Sequence, residues 1–337
     1  MDNMRILVTG GCGFIGSNFI RHMLSKYQYY IVNFDNLTYA GNLENLKDIE
    51  DDPRYTFIRG DIAGKEDTAL VFNNGVDIVV NFAAESHVDR SIMEPDAFVR
   101  TNISGTFMLL EQARQKGVKR FIQISTDEVY GSLGKEGKFC EDTPLAPNSP
   151  YSASKTSADL LAMAYHKTYG TPTVITRCSN NYGPYQFPEK LIPLIISNAL
   201  HDKELPVYGD GMNVRDWIYV TDHCEAIDLV LHKGEPGNIY NVGGENERTN
   251  IEIVQLILNI LGKPESLIRY VKDRPGHDRR YAIDSTKIKN FLNFETKMEF
   301  QKGMEETVAW YMDHRSWWER IISGEYLEYY DRMYKNR

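Results

Sequence analysis

Tyr151 and Lys155 stand four residues apart in the segment YSASK. On a helix that spacing puts the phenol and the ammonium on one face. An ammonium beside a phenol favours the phenolate and draws its pKa down from about 10. A tyrosine so tuned serves as the base that takes a proton from a sugar hydroxyl while hydride leaves the same carbon. The spacing alone carries nothing, because 21 tyrosines in 337 residues yield such a pair by chance. Position carries the reading. The pair follows Pro150 at a predicted helix start, one unit downstream of a predicted strand ending at Ser125.

A second set lies in ISTDEVYG, residues 124–131. Ser125, Thr126, Asp127 and Glu128 are polar side chains at the carboxyl end of that strand, where open α/β sheets bind ligands. Paired carboxylates divide labour when one is held protonated as an acid and the other stays ionised as a base. The other reading is a solvated loop with a helix cap. Adjacent residues need not point the same way, so the sequence leaves both open.

A third set is TGGCGFIGS, residues 9–17, with Gly10, Gly13 and Gly16 between a predicted strand and a predicted helix. Glycines there permit a tight turn and let backbone approach a pyrophosphate at the helix N-terminus. A plain glycine-rich turn would look similar, but Asp35 ends the second strand 19 residues after Gly16. An acid at that place accepts the hydroxyls of an adenosine ribose. Its charge repels a 2′-phosphate, and the following NLTYAGN contains no Lys or Arg, so NAD is expected rather than NADP. Asp61 and Ile62, after the third strand, either flank the adenine or form an ordinary turn.

Basic residues recur among aromatics in the second half: Lys190 in YQFPEKLIP, Arg215 in NVRDWIY, and Arg274 with His277 in DRPGHDRRY. Arginine suits a diphosphate clamp. Singly each reads as a surface charge; together, in a chain of net charge −9, they point to a pocket for an anionic substrate.

The elements that must position these groups alternate in the first half. Strands are predicted at 5–9, 30–34, 55–59, 77–82, 120–125 and 173–177, and helices near 14–26, 65–73, 96–116 and 151–169. Such alternation implies a parallel sheet with right-handed crossovers. The strands read as continuous apolar runs, as strands buried on both faces do. After about 178 the regularity breaks, with Pro184, Pro188, Pro193 and Pro206 punctuating loops and short elements. A strand at 214–220, a helix from Thr221 or Asp222, and helices at 251–261 and 300–314 follow. The aromatic tail from Ser316 reads as a helix packed on the body or on a partner subunit.

Length and composition set the outer bounds. A chain of 337 residues with 42% hydrophobic and 25% charged residues suggests about two globular domains and excludes long disorder. The acidic balance argues against general nucleic-acid or anionic-membrane binding. Cys12, Cys140, Cys178 and Cys224 form no CxxC pair, and no HExxH occurs, so neither a disulfide framework nor a zinc site is expected. No apolar run approaches a membrane span, and a reducing cytoplasm is the default compartment.

The motifs TGGCGFIGS, AAESHVDRS (83–91), STDEVYG, YSASK, SNNYGPYQFPEKLIP (179–193), RDWIYV (215–220) and DRPGHDRR (273–280) together resemble the extended short-chain dehydrogenase/reductases. Within them, the NAD-dependent nucleotide-sugar epimerases and dehydratases are the nearest group. The Asp–Glu pair and DRPGHDRR match its 4,6-dehydratase branch, whereas the glycines and YSASK are shared more widely. The resemblance implies a Rossmann-type doubly wound sheet with a smaller α/β substrate-binding domain. Residues 1–178 would bind NAD, with about 212–244 returning to them, and 179–330 would bind the sugar nucleotide.

Carried over by position, Phe14, Ile15, Gly16, Ser17, Asp35, Asn36, Leu37, Thr38, Asp61, Ile62, Ala83, Ala84, Glu85, Ser86, Thr101 and Asn181 would line the NAD site with Tyr151 and Lys155. Ser86, Thr126, Asn180, Lys190, Leu191, Pro206, Val207, Tyr208, Arg215, Asn250, Asp273, Arg274, Pro275, Gly276 and His277 would hold the substrate, expected to be dTDP-glucose. Asp127 would be the proton donor, Glu128 the acceptor and Tyr151 the base for oxidation. The implied chemistry is oxidation at sugar carbon 4, loss of water across carbons 5 and 6, and hydride return to carbon 6, with tightly bound NAD regenerated.

The rivals are an NAD-dependent 4-epimerase, a dehydratase of another nucleotide sugar, and a non-catalytic NAD-binding sensor. An epimerase needs no elimination acid, and a sensor has little need of the tyrosine, the lysine and both carboxylates. The resemblance also implies a homodimer paired through the helices near 96–116 and 151–169.

Overall fold

The computed structural model describes residues 4–73 and 75–322. Twelve strands are present among them: β1 (Arg5–Thr9), β2 (Tyr30–Asp35), β3 (Tyr55–Arg59), β4 (Ile78–Asn81), β5 (Arg120–Thr126), β6 (Thr173–Cys178), β7 (Asn180–Tyr182), β8 (Leu205–Tyr208), β9 (Val214–Tyr219), β10 (Ile239–Val242), β11 (Glu247–Thr249) and β12 (Ile268–Val271). The α-helices are α1 (Phe14–Lys26), α2 (Lys65–Phe72), α3 (Val88–Met93), α4 (Pro95–Phe98), α5 (Thr106–Lys116), α6 (Pro150–Tyr169), α7 (Leu191–Leu200), α8 (Val220–Lys233), α9 (Asn250–Leu261), α10 (Thr286–Leu292), α11 (Phe300–Asp313) and α12 (Arg315–Ile321).

Seven parallel strands form the main sheet in the order β3-β2-β1-β4-β5-β6-β10. This is a Rossmann-type doubly wound sheet, whose strand order reverses between β1 and β4, and ligands bind outside the carboxyl ends at such a switch point. Apolar layers cover both faces. Phe19, Ile20, Ile227 and Val230 of α1 and α8 pack on one side; Leu109, Leu110, Ala162 and Tyr165 of α5 and α6 pack on the other. A third core joins α7, α9, α11 and α12 around Tyr182, Tyr311 and Trp318. The small sheets β11-β9-β7 and β12-β8 lie in this part of the chain. Trp317 of α12 is tied to the first half by an indole hydrogen bond of 2.9 Å to Asn45 Oδ1. The remainder of the aromatic tail, from residue 323, lies outside the described residues.

Two predicted elements differ from the observed ones. The helix predicted over 96–116 is α4, a π-helical stretch over Val99–Gly105 and α5. Wide turns of this kind occur at functional sites. Here the stretch carries Asn102, whose amide donates to the Glu85 carbonyl at 2.9 Å and to Ser154 Oγ at 2.8 Å. The segment read as proline-punctuated loop contains α7, with Pro193 as its third residue. In the first helical turn proline removes an N–H that has no helical partner, so it does not break the helix.

Candidate active site

The turn from β1 into α1 is shaped by Gly10, whose φ of +67° and close approach exclude a side chain; a Cβ there would lie 2.6 Å from the Ala83 backbone nitrogen. Gly13 caps α1 with no side-chain hydrogen bond, and the first turn carries no acidic residue. The leading N–H groups of α1 are thus left to an anion, as a pyrophosphate needs. Asp35, at the end of β2, accepts from the Cys12 N–H at 2.9 Å and the Leu37 N–H at 2.8 Å. These bonds fix the carboxylate at the lip of the cleft, where each oxygen retains a lone pair for a ribose hydroxyl.

A cavity of about 300 Å³ runs from these glycines across the carboxyl ends of β1, β2, β4 and β5. It is lined by Gly10, Gly13, Phe14, Ile15, Gly16, Asp35, Asn36, Thr38, Asp61, Ile62, Ala83, Ala84, Glu85, Ser86, Thr101, Thr126, Asp127, Glu128, Tyr151, Lys155, Asn180, Asn181 and Lys190. Ser17 and Leu37 do not line it. Ser17 has no exposed surface and donates its hydroxyl to the Phe14 carbonyl at 3.0 Å. Phe187, Glu189 and Cys178 line the cavity as well, and the sequence reading had not singled them out.

Of the substrate candidates, Ser86, Thr126, Asn180 and Lys190 line this cavity, and the others lie outside its lining. Arg274 Nη1 donates to Asp89 Oδ1 at 3.0 Å, and the Tyr208 hydroxyl donates to Asp89 Oδ2 at 3.0 Å. Arg274 Nε is buried and finds no partner among the described residues. Arg215 donates to the Val214 carbonyl at 2.7 Å and the Asp278 carbonyl at 2.9 Å, with its guanidinium 4.3 Å from the Tyr281 ring centre. His277 Nδ1 lies 2.6 Å from Asp273 Oδ1, and Pro275 and Gly276 form the turn between them. Lys190 Nζ donates to the Ser86 carbonyl at 2.7 Å. Leu191 and Asn250 open α7 and α9, and Pro206 and Val207 belong to β8. Asp89 and Glu189 were not legible as site residues, although Glu189 adjoins Lys190 and Asp89 lies within AAESHVDRS.

Three elements deliver the reactive groups. Helix α6 begins with Pro150 at its first position and a reciprocal Ser149–Ser152 capping box, which fixes its start and so the direction of Tyr151 and Lys155. Strand β5 ends at Thr126, and a 3-10 turn over Asp127–Tyr130 follows. The Thr126 hydroxyl accepts from the Glu128 N–H at 3.2 Å and donates to Asp127 Oδ1 at 3.3 Å. Asp127 Oδ2 is buried and has no partner among the described residues.

The two carboxyls differ in surroundings. Burial first, then Glu128 and Asp216, hold Asp127 well above the usual carboxylate range. Burial also raises Glu128, but Arg274, Arg215 and Lys190 oppose it. Both carboxyls are held above their usual range, Asp127 well above it, and Arg274, Arg215 and Lys190 favour the anion of Glu128, so the surroundings suit Asp127 to hold a proton and Glu128 to take one.

The sequence-based expectation of an ammonium-lowered phenol is not met. Burial, followed by Glu128 and Cys178, holds the Tyr151 phenol well above its usual value. Lys155 Nζ donates to the Ile124 carbonyl at 2.6 Å, and burial lowers its pKa against the opposing charge of Asp159. In the protein alone the Tyr151 phenol is thus held above its usual range, with the neighbouring Thr126 hydroxyl opposing the shift.

This geometry is that of a nucleotide-sugar enzyme, and residues 7–307 match the family described as GDP-mannose 4,6 dehydratase. The chain belongs to that family. A dTDP-glucose 4,6-dehydratase of Xanthomonas campestris pv. campestris (strain B100) is 53% identical over 339 residues, covering 95% of this chain and 96% of the relative. The crystal structure of the dTDP-glucose 4,6-dehydratase from Bacillus anthracis str. Ames in complex with NAD is 56% identical, with a TM-score of 0.88 over 94% of this chain and 99% of that one. The corresponding enzyme from Streptomyces venezuelae, also with NAD bound, is 50% identical with a TM-score of 0.93, covering 94% of this chain and 100% of that one.

Proposed function

We propose that this protein converts dTDP-glucose to dTDP-4-keto-6-deoxyglucose, with NAD as a cofactor restored in every turnover. The observation that carries the reading is one 3-10 turn bearing a buried carboxyl, Asp127, next to a second, Glu128, that faces Arg274, Arg215 and Lys190, set beside a Tyr–Lys pair in one cavity. A 4-epimerase has no use for the first two groups.

The donor set fits NAD. The uncapped start of α1, the Gly10–Gly13 turn and Asp35 suit a pyrophosphate and an unphosphorylated ribose. When bound, NAD would supply a hydride acceptor for the oxidation at sugar carbon 4 and a hydride donor for the reduction at carbon 6. We assign the rest to the chain's own residues. Tyr151 removes the proton of the carbon-4 hydroxyl, with Lys155 and Thr126 orienting it. A ketone at carbon 4 acidifies the proton on carbon 5. Glu128 takes that proton and returns one to carbon 5 as hydride reaches carbon 6, and Asp127 delivers its own to the hydroxyl leaving carbon 6. Burial excludes bulk water from both steps, which keeps Asp127 charged with its proton until the sugar arrives.

We divide the work between residues 1–178 with about 212–244, which hold NAD, and 179–330, which hold the sugar nucleotide. Arg274 and Arg215 are assigned to the diphosphate. Replacing Arg274 with alanine removes one charge-assisted contact, worth about 1.5–3 kcal/mol, so affinity for dTDP-glucose is expected to fall about tenfold or more. Calorimetric titration checks this: NAD affinity stays unchanged, and equal weakening of both ligands would remove Arg274 from the diphosphate site.

We infer a homodimer formed through α5, α6 and the π-helical stretch. Val99, Phe107, Leu160 and Tyr169 are exposed on these elements, and exposed apolar side chains of this size are what an interface would cover. Leu160→Arg is expected to shift sedimentation from dimer to monomer; an unshifted dimer would place the interface elsewhere. Among the described residues no helix is long and apolar enough to cross a membrane, and all four cysteines are free. Free thiols support a reducing cytoplasm. We assign the reaction to deoxysugar formation of the dTDP-rhamnose type.

A further inference from the structure

Asp159, Arg177, Tyr130 and Asn241 form a continuous buried chain that the reaction as derived does not use. Their exposures are 0%, 1%, 2% and 0%. Arg177 Nε donates to Asp159 Oδ2 at 2.9 Å, and its Nη1 donates to the Tyr130 hydroxyl at 2.9 Å. The same guanidinium lies 4.8 Å from the centre of the Tyr130 ring. The Tyr130 hydroxyl in turn donates to Asn241 Oδ1 at 2.8 Å, and the Asn241 amide donates to the Phe139 carbonyl at 3.1 Å.

The ends of this chain are where the two halves of the site begin. Asp159 is on α6, one helical turn beyond Lys155 and two beyond Tyr151. Tyr130 is the last residue of the turn that opens with Asp127 and Glu128. Arg177 bridges them from β6, where it stands opposite Ser125 of β5. A buried ion pair is a weak source of stability, since apolar side chains of equal volume pack at least as well. What it supplies is direction, because a fork of N–H donors fixes both partners in angle as well as distance. The Asp127 turn itself is short: the Thr126 hydroxyl holds its start at the Glu128 N–H, and the Val129 carbonyl accepts from the Ala146 N–H at 3.1 Å.

We propose that Asp159–Arg177–Tyr130 is a positioning strut that locks the Asp127–Tyr130 turn to helix α6, so that the acid and base meet carbons 5 and 6 of the sugar oxidised at Tyr151. The inference rests on the assignment of Asp127 and Glu128 made above. None of the three strut residues lines the cavity, so none is a catalytic residue.

The test is Tyr130→Phe, which removes one hydroxyl and leaves the ring. Misplacement of an acid–base pair by a fraction of an ångström is expected to lower kcat by about tenfold to a hundredfold. KM for dTDP-glucose should change by less than about twofold, the pattern of an interaction felt only at the chemical step. Quenched single-turnover mass spectrometry should find 4-keto-glucose, still bearing its carbon-6 hydroxyl, accumulating. In an Asp127→Asn background the same substitution should slow turnover by a smaller factor, because only the base is left to misplace. An equal slowing in both backgrounds, or a fall in the oxidation step instead, would overturn the strut. Melting temperatures are measured alongside. Should Tyr130→Phe melt early, Asp159→Asn, which keeps volume and one acceptor, gives the second reading, and normal turnover in an early-melting variant would contradict the proposal. An Asp127→Asn protein with normal turnover would sink the acid assignment instead, and the strut is then judged on the Tyr130→Phe sugar partition.

Discussion

With Asp127 replaced by asparagine, the protein is expected to bind dTDP-glucose, oxidise it at carbon 4, and stall. Asparagine keeps the size and one acceptor of the buried carboxyl but has no acidic proton to give the departing hydroxyl. A positioned general acid contributes about 10²–10⁴-fold, so water loss should slow by that factor. The residual chemistry is informative. Glu128 remains supported by Arg274, Arg215 and Lys190, so it should still remove the carbon-5 proton. In heavy water the stalled 4-keto sugar should therefore exchange at carbon 5 without losing water. Glu128→Gln should abolish exchange and elimination together. The comparison separates two adjacent carboxyls that a loss of overall activity would leave merged. Unchanged turnover in Asp127→Asn would remove this residue from the mechanism.

Replacing Tyr151 with phenylalanine acts one step earlier and should leave the sugar untouched. The ring is 8% exposed and packs edge-on against Phe98 with centroids 6.3 Å apart, so phenylalanine keeps the packing and removes only the hydroxyl. Without it the carbon-4 hydroxyl has no proton acceptor at the point of oxidation, and formation of the 4-keto sugar should fall by about 10²–10⁴-fold. Single-turnover analysis distinguishes this from the Asp127 variant, since unreacted glucose accumulates here and the ketone there. Normal ketone formation in Tyr151→Phe would refute the role. In the protein alone burial holds the phenol above its usual range while the Lys155 ammonium donates to the Ile124 carbonyl, so a cation bound beside the ring would favour the phenolate.

Much of this was legible in residue types. The β1–α1 glycines, Asp35 and the alternating apolar runs specify the sheet, because each is a local requirement of backbone geometry or of burial on both faces. YSASK and STDEVYG were readable because their partners lie within a helical turn or a single loop. The charge state of Tyr151 was not readable, since it depends on where Lys155 points, and its ammonium is held by the carbonyl of Ile124 on a strand 31 residues away. The Arg274–Asp89 pair spans 185 positions and the Arg90–Glu189 pair 99, contacts that join α3 to the loop after β12 and the loop before α7. Helix α7 was hidden by Pro193, which reads as a breaker unless its place in the first turn is known. The Asp159–Arg177–Tyr130 chain left no motif at all, because each link joins a different element.

The measurement that bears most directly on the account is product analysis after turnover in heavy water, with dTDP-glucose and the UDP-, GDP- and CDP-hexoses offered in parallel. The account predicts conversion of dTDP-glucose in preference to the others, with loss of one water and deuterium at carbon 5. A product of unchanged mass, isomerised at carbon 4, would contradict it and leave Asp127 and Glu128 without a task; preferential dehydration of another nucleotide sugar would keep the chemistry and overturn the substrate.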